Sequence, residues 1–185
     1  EAGTLTQNAP LQVLHVKKTI RVGDSNAWIE VEPVDDDLTH LAYLLDYGEE
    51  NAIGRQRAEL TLTPEGFIGS IAQARTFLLQ QEAEKLQSQG LGTHTTFQEL
   101  LVFDEHGPIE NELRFVNECA RHKLLDMTGD LAMAGIRLAG RFTAFRSGHQ
   151  LNAELVREIL AADQASSDRS DTTMTESRAK SLSSN

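Results

Sequence analysis

The chain has 185 residues, one domain's worth of material with room for tails, and 39% of them are hydrophobic. Its net charge of −11, with no basic cluster beyond Lys17-Lys18, argues against nucleic acid as a partner but leaves room for a small phosphorylated ligand. No apolar run reaches the ~18 residues of a transmembrane segment, and Cys119 is the only cysteine, which excludes an intramolecular disulfide and points to a reducing, cytoplasmic setting.

Residues 1–10, which lack an initiator Met, read as a linker from an upstream domain. "LQVLHVKKTIRV" (11–22) alternates as a strand, "GDSN" turns, and "AWIEVEP" (27–33) returns as its hairpin partner. "LTHLAYLLDY" (38–47) and "QRAELTLT" (56–63) are the third and fourth strands. Thr63 as N-cap, Pro64 at the first helical position and Glu65 in the first turn open a helix to about Ala74. "LLQQEAEKLQSQ" (78–89) is a helix stopped by Gly90, and "LLVFD" (100–104) is a short apolar strand. The longest helix spans about 113–135, "RLAGRFTAF" (137–145) is a strand, and "LNAELVREILAA" (151–162) is the last helix. From Asp163 to residue 185 the composition is that of a disordered tail or linker. Strands first and helices after predict an α+β fold, a mostly antiparallel sheet with helices packed on one face, over residues 11–162.

Three groups could carry chemistry. His122 and Asp126, one helical turn apart, can aim an imidazole nitrogen and a carboxylate oxygen at one Zn²⁺. Spacing alone favours an ordinary surface ion pair, and two ligands are one short of a catalytic zinc site. Asp130 continues the same face but lies ~12 Å along the axis from His122. His149 in "SGHQLN", directly before a helix, is either a general acid or base or a capping histidine. Thr76 and Phe77 in "ARTF" are a hydroxyl and a ring at the expected end of a helix. Lys123 is either solvated or available to an anionic ligand. Cys119 reads as a packed thiol, and no phosphate loop, nucleophile elbow or dinucleotide fingerprint is present.

Together, "SIAQARTF" (70–77), "LQSQGLG" (86–92), "LRFVNECARHKLLDMTGDLAMAG" (113–135) and "GRFTAFRSGHQLNAELVREIL" (140–160) change the balance. In this order and spacing they resemble the C-terminal half of the zinc-dependent UDP-3-O-acyl-N-acetylglucosamine deacetylases of lipid A synthesis. "KKTIRVGDSNAWIEVEP" (17–33) and "LDYGEENAIGRQ" (45–56) extend the likeness, which covers roughly residues 12–162. The family has two similar α+β domains packed face to face, and this chain matches the second.

The resemblance implies that His122 and Asp126 bind zinc and Lys123 helps hold substrate. It implies that Asp130 orients His149, which acts as an acid near the leaving group, and that Thr76 contacts the oxyanion. A strand–helix–strand insert, about 77–104, would form an apolar passage for the acyl chain with Phe77 in its wall. Asp46 and Tyr47 would meet the uridine. The implied reaction removes acetate from the 2-acetamido group.

The family's third zinc ligand and its glutamate base come from the first domain, which this chain does not contain. Alone, the chain is therefore expected to bind zinc weakly and not to turn over. "GEENAI" replaces a His-Pro element, Ala27 stands where a basic residue often precedes Trp28, and "THTT" (93–96) replaces a glycine-rich turn. A non-catalytic module holding a nucleotide-sugar or a partner, or a related zinc amidohydrolase, remains the alternative.

Overall fold

The computed structural model describes residues 5–6, 8–92, 94–96 and 98–182, with side chains to residue 166. Positions 1–4 and 7 of the expected linker and 183–185 of the expected tail lie outside the described residues.

The fold is α+β. Its sheet runs in the order β2 (Ile20–Gly23), β3 (Trp28–Glu32), β8 (Arg137–Phe145), β4 (Thr39–Asp46), β5 (Arg55–Thr61). The pairs β2/β3, β3/β8 and β4/β5 are antiparallel, whereas β8 runs parallel to β4 and to the short β1 (Val13–His15). Strand alternation sets the faces: Thr39, Leu41, Tyr43 and Leu45 of β4 are buried, while the residues between them are only partly so. Two helices cover the buried face, α3 (Glu118–Ala132) against β4 and β5, and α4 (His149–Leu182) against β2 and β3. Leu124, Met127 and Leu155 are fully buried between helix and sheet, each worth about 1.5–3 kcal/mol of burial. Gly140 in the central strand has no room for a side chain, because a Cβ there would lie 2.8 Å from Val31 Cγ2. Among the described residues no helix is long and apolar enough to cross a membrane.

The expected first strand is two strands. After the Val16 N–H bonds the Ala139 carbonyl, residues 17–19 swing out exposed, and the chain re-enters beside β3. The hairpin forms at "GDSN" as expected, with the Asp24 carboxylate accepting from the N–H groups of Asn26 and Ala27. Thr63 caps its helix as expected, Oγ1 accepting from Gly66 N–H at 3.0 Å. That helix is short: α1 (Pro64–Gly66) passes into a π-helical turn, Phe67–Ile71.

Thr76 and Phe77 do not end a helix but begin β6 (Thr76–Leu79), which pairs in parallel with β7 (Leu100–Phe103) across α2 (Gln80–Ser88). This is the strand–helix–strand insert. The long helix starts at Glu118 rather than 113, because the preceding segment wraps around the Glu118 carboxylate. The last helix runs past the expected end at 162 to Leu182, since no Gly or Pro follows Gly148 to stop it.

Candidate functional site

A groove of about 700 Å³ opens between the end of β4, the start of β6 and the first turns of α3. Asp46, Tyr47, Thr76, Phe77, His122, Lys123 and Asp126 all line it. These residues, from Asp46 to Asp126, reach one surface because β6, paired with β7 in a separate two-stranded sheet, packs against α3.

His122 Nδ1 lies 3.2 Å from the Ala74 carbonyl oxygen. A carbonyl only accepts, so Nδ1 carries a proton, and in the neutral ring Nε2 keeps its lone pair. That lone pair faces Asp126 Oδ1 at 3.4 Å. Two acceptors converging at this distance call for a cation or a proton between them. For zinc with ligands at ~2.0–2.1 Å, two corners of a tetrahedron stand ~3.4 Å apart, so the donor pair fits that ion. Among the described residues no group of three or more His, Cys, Asp or Glu could hold a metal. The other Asp126 oxygen accepts from Lys123 Nζ at 2.7 Å, so the lysine is tied to the donor pair at rest.

An aromatic wall runs from the donor pair. The Phe77 ring stands edge-on to His122 at 6.2 Å between centroids, and Tyr47 stands edge-on to Phe77 at 6.0 Å. Burial raises the Tyr47 phenol above its ordinary range, with nearby Glu82 adding to the effect. Asp46 closes the turn beside it: its Oδ1 accepts from Gly48 N–H at 2.8 Å, and Arg55 Nε also bonds the carboxylate. The Gly48 amide and then Arg55 hold that carboxyl below the usual range, so it is anionic in the groove. Thr76 is exposed at the rim, its hydroxyl available.

Asp130 and His149 form a second cluster at the end of the groove. His149 Nδ1 lies 2.9 Å from Asp130 Oδ2, with the imidazole side chain 72% exposed and the carboxylate 14% exposed. The same Oδ2 accepts from Asn152 Nδ2 at 2.8 Å, and Asn152 Oδ1 accepts from Ser147 Oγ at 2.8 Å. Tyr43 donates its hydroxyl to the Ser147 carbonyl, and burial raises that phenol well above its ordinary value. Tyr43 and Ser147 also line the groove, so one buried chain of hydrogen bonds connects it to the Asp130–His149 pair.

The candidates Asp46, Tyr47, Thr76, Phe77, His122, Lys123 and Asp126 thus line the groove, Asp130 and His149 form the cluster linked to it through Ser147, and Cys119 lies in the core. Sequence reasoning missed Tyr43, Ser147, Asn152, Arg146, Arg75 and Glu118. Arg146 lines the groove from a left-handed backbone position, φ 50°, which bulky residues seldom occupy. Glu118 offered one signal, an acidic residue directly before the buried pair Cys119-Ala120.

The sequence matches the family model described as UDP-3-O-acyl N-acetylglycosamine deacetylase over residues 1–161. Among curated relatives, the UDP-3-O-acyl-N-acetylglucosamine deacetylase of Oleidesulfovibrio alaskensis is 39% identical over 160 residues, covering 86% of this chain and 52% of that protein. The proteins of the same name from Haemophilus influenzae and Photobacterium profundum are each 37% identical, over 168 and 166 residues, covering 89% of this chain and 54% of theirs. The chain spans about half the length of the curated relatives it matches.

Proposed function

This chain belongs to the UDP-3-O-acyl N-acetylglycosamine deacetylase family, and from that premise we propose that it is the second half of such an enzyme. In this reading it hydrolyses the 2-acetamido group of UDP-3-O-acyl-N-acetylglucosamine in lipid A synthesis, in the cytoplasm, together with an N-terminal domain. The observation that carries it is the convergence of His122 Nε2 and Asp126 Oδ1 at 3.4 Å, with His122 Nδ1 already committed to the Ala74 carbonyl. A neutral imidazole held by a backbone carbonyl and a carboxylate one turn away are the donors zinc takes.

His122 and Asp126 hold Zn²⁺ in this reading, and the third protein ligand and the base come from the N-terminal domain. Bound zinc supplies Lewis-acid polarisation of the amide carbonyl and a more acidic water. This chain's side chains do the rest. Thr76 donates its hydroxyl to the oxygen on which negative charge develops. Asp130 accepts from His149 Nδ1–H and so aims Nε2 at the leaving nitrogen, to which His149 delivers a proton. Lys123, released in part from Asp126, meets an anionic group of the substrate. Asp46 and Tyr47 hold the uridine end, and Phe77 lines the path of the acyl chain.

The test combines this chain with the N-terminal half of a relative and measures zinc-dependent release of acetate from UDP-3-O-acyl-N-acetylglucosamine. Turnover that needs both halves and zinc is expected. Binding of the nucleotide-sugar without turnover, zinc being bound, overturns the enzymatic reading in favour of a non-catalytic module.

A further inference from the structure

We propose that Glu118 and Arg75 are positioning residues for His122: they grip the other end of the peptide group whose carbonyl fixes its imidazole. Glu118 is wholly buried at the first position of α3, one turn before His122. Its Oε1 accepts from Arg75 backbone N–H at 3.0 Å and from Arg75 Nε at 2.9 Å. Its Oε2 accepts from Arg75 Nη2 at 3.1 Å and from Arg114 N–H at 2.6 Å. Arg75 spends its remaining bonds on Asn111 Oδ1 and the Glu112 carbonyl.

The Arg75 N–H and the Ala74 carbonyl belong to one planar peptide group. Glu118 takes the N–H end and His122 takes the carbonyl end. Two residues of α3 at i and i+4 share a face, and here they clasp a single rigid plate. A peptide that turns away from Glu118 turns its carbonyl away from His122 Nδ1, and the imidazole then loses the partner that fixes its Nδ1–H and the direction of its ring. Thr76 is the next residue along, so the same clasp sets where its hydroxyl leaves the sheet.

Stability alone does not require this pair. Replacing a buried ion pair with apolar residues of similar volume is often neutral or stabilising, whereas breaking one partner is costly. What an apolar pair cannot do is accept the Arg75 N–H.

The inference rests on the zinc reading only for its second readout. In this chain, ring ¹⁵N signals of His122 report the tautomer, and competition with a chromophoric chelator reports zinc affinity. In the double variant Arg75→Met, Glu118→Leu the chain is expected to fold, His122 to populate both tautomers, and zinc affinity to fall about 10- to 100-fold, the usual effect of losing a partner of a metal-binding histidine. Glu118→Gln, which keeps one acceptor but not the two-oxygen grip, is expected to do the same to a smaller degree. An unchanged Nδ1–H tautomer in whichever variant folds overturns the proposal, and so does a failure of both to fold, which assigns the pair to stability. If the unaltered chain combined with an N-terminal half binds no zinc but the tautomer shifts, the deacetylase reading fails and this one stands.

Discussion

His149 Nδ1 and Asp130 Oδ2 lie 2.9 Å apart, joining the start of α4 to the last turn of α3. The carboxylate is the less exposed partner and accepts a further bond from Asn152, so its position does not depend on the exposed imidazole. Replacing His149 with Ala therefore leaves thermal unfolding within about 0.5 kcal/mol of the original, as for other exposed side chains. Combined with an N-terminal half, the variant loses about 10²- to 10⁴-fold in kcat, the usual worth of a general acid. Circular dichroism and acetate release check the two halves of this prediction, and undiminished turnover contradicts the role given to His149.

Zinc stabilises the folded chain if it binds only there. At a free concentration 100 times Kd the gain is about 2.7 kcal/mol, which for a chain of this size moves Tm by roughly 5–10 °C. Thermal unfolding in stepwise zinc, with and without a chelator, measures it. His122→Ala and Asp126→Ala each remove the shift, because either leaves a single donor. A zinc-dependent rise that survives in both variants places the metal elsewhere.

Part of the response to acid runs through Glu118. Burial raises its carboxyl, but the hydrogen bonds from Arg75 and Arg114 outweigh burial and leave it below its ordinary value of 4.5. The unfolded chain then binds this proton more readily than the native one. Its contribution to stability is complete above about pH 5 and disappears as pH falls through the lowered native value. Glu118→Gln removes a partner from a buried pair and costs about 3–5 kcal/mol at pH 7. Urea unfolding from pH 3 to 7 should show the two chains converging toward the acid end, since protonation removes from the original what the variant already lacks. A gap that stays constant across that range contradicts this account.

What could be read from the chain beforehand was whatever local chemistry decides. The cap at Thr63 and Pro64, the turn closed by Asp24 and the stop at Gly90 each depend on neighbours within four residues. Periodicity alone shows no sign of β6, because Thr76–Leu79 is too short and its partner, Leu100–Phe103, lies beyond a helix; only the resemblance implied a strand there. Glu118 was missed for a related reason: its burial is bearable only with Arg75, 43 residues away. Within the site, the spacing of His122 and Asp126 suited a surface ion pair equally well. The Ala74 carbonyl, 48 residues upstream, is what commits Nδ1 and leaves two acceptors facing each other, and periodicity carries no trace of it. The resemblance to the deacetylases named residues that the fold brings to one groove and to the Asp130–His149 pair, while Asn152, Ser147 and Tyr43, which connect the two, became visible only through contacts across the fold.

Cys119 offers a last prediction, independent of the groove. It follows Glu118 on α3 and is fully buried against the sheet. Burial pushes its thiol up to about 12, more than a contact with the Gln56 side chain can offset. At pH 8 a group of that pKa is thiolate for roughly one molecule in 10⁴, against about a quarter for a free cysteine. The scarcity of thiolate slows thiol–disulfide exchange, and the closed packing of α3 leaves the reagent no approach. Reaction of the native chain with an aromatic disulfide reagent should therefore proceed only through global opening. Its rate should rise with urea in step with the unfolded fraction, reaching one thiol per chain when unfolding is complete. Rapid native-state reaction would mean that α3 opens locally, and a helix that opens there could not hold His122 and Asp126 at a fixed separation.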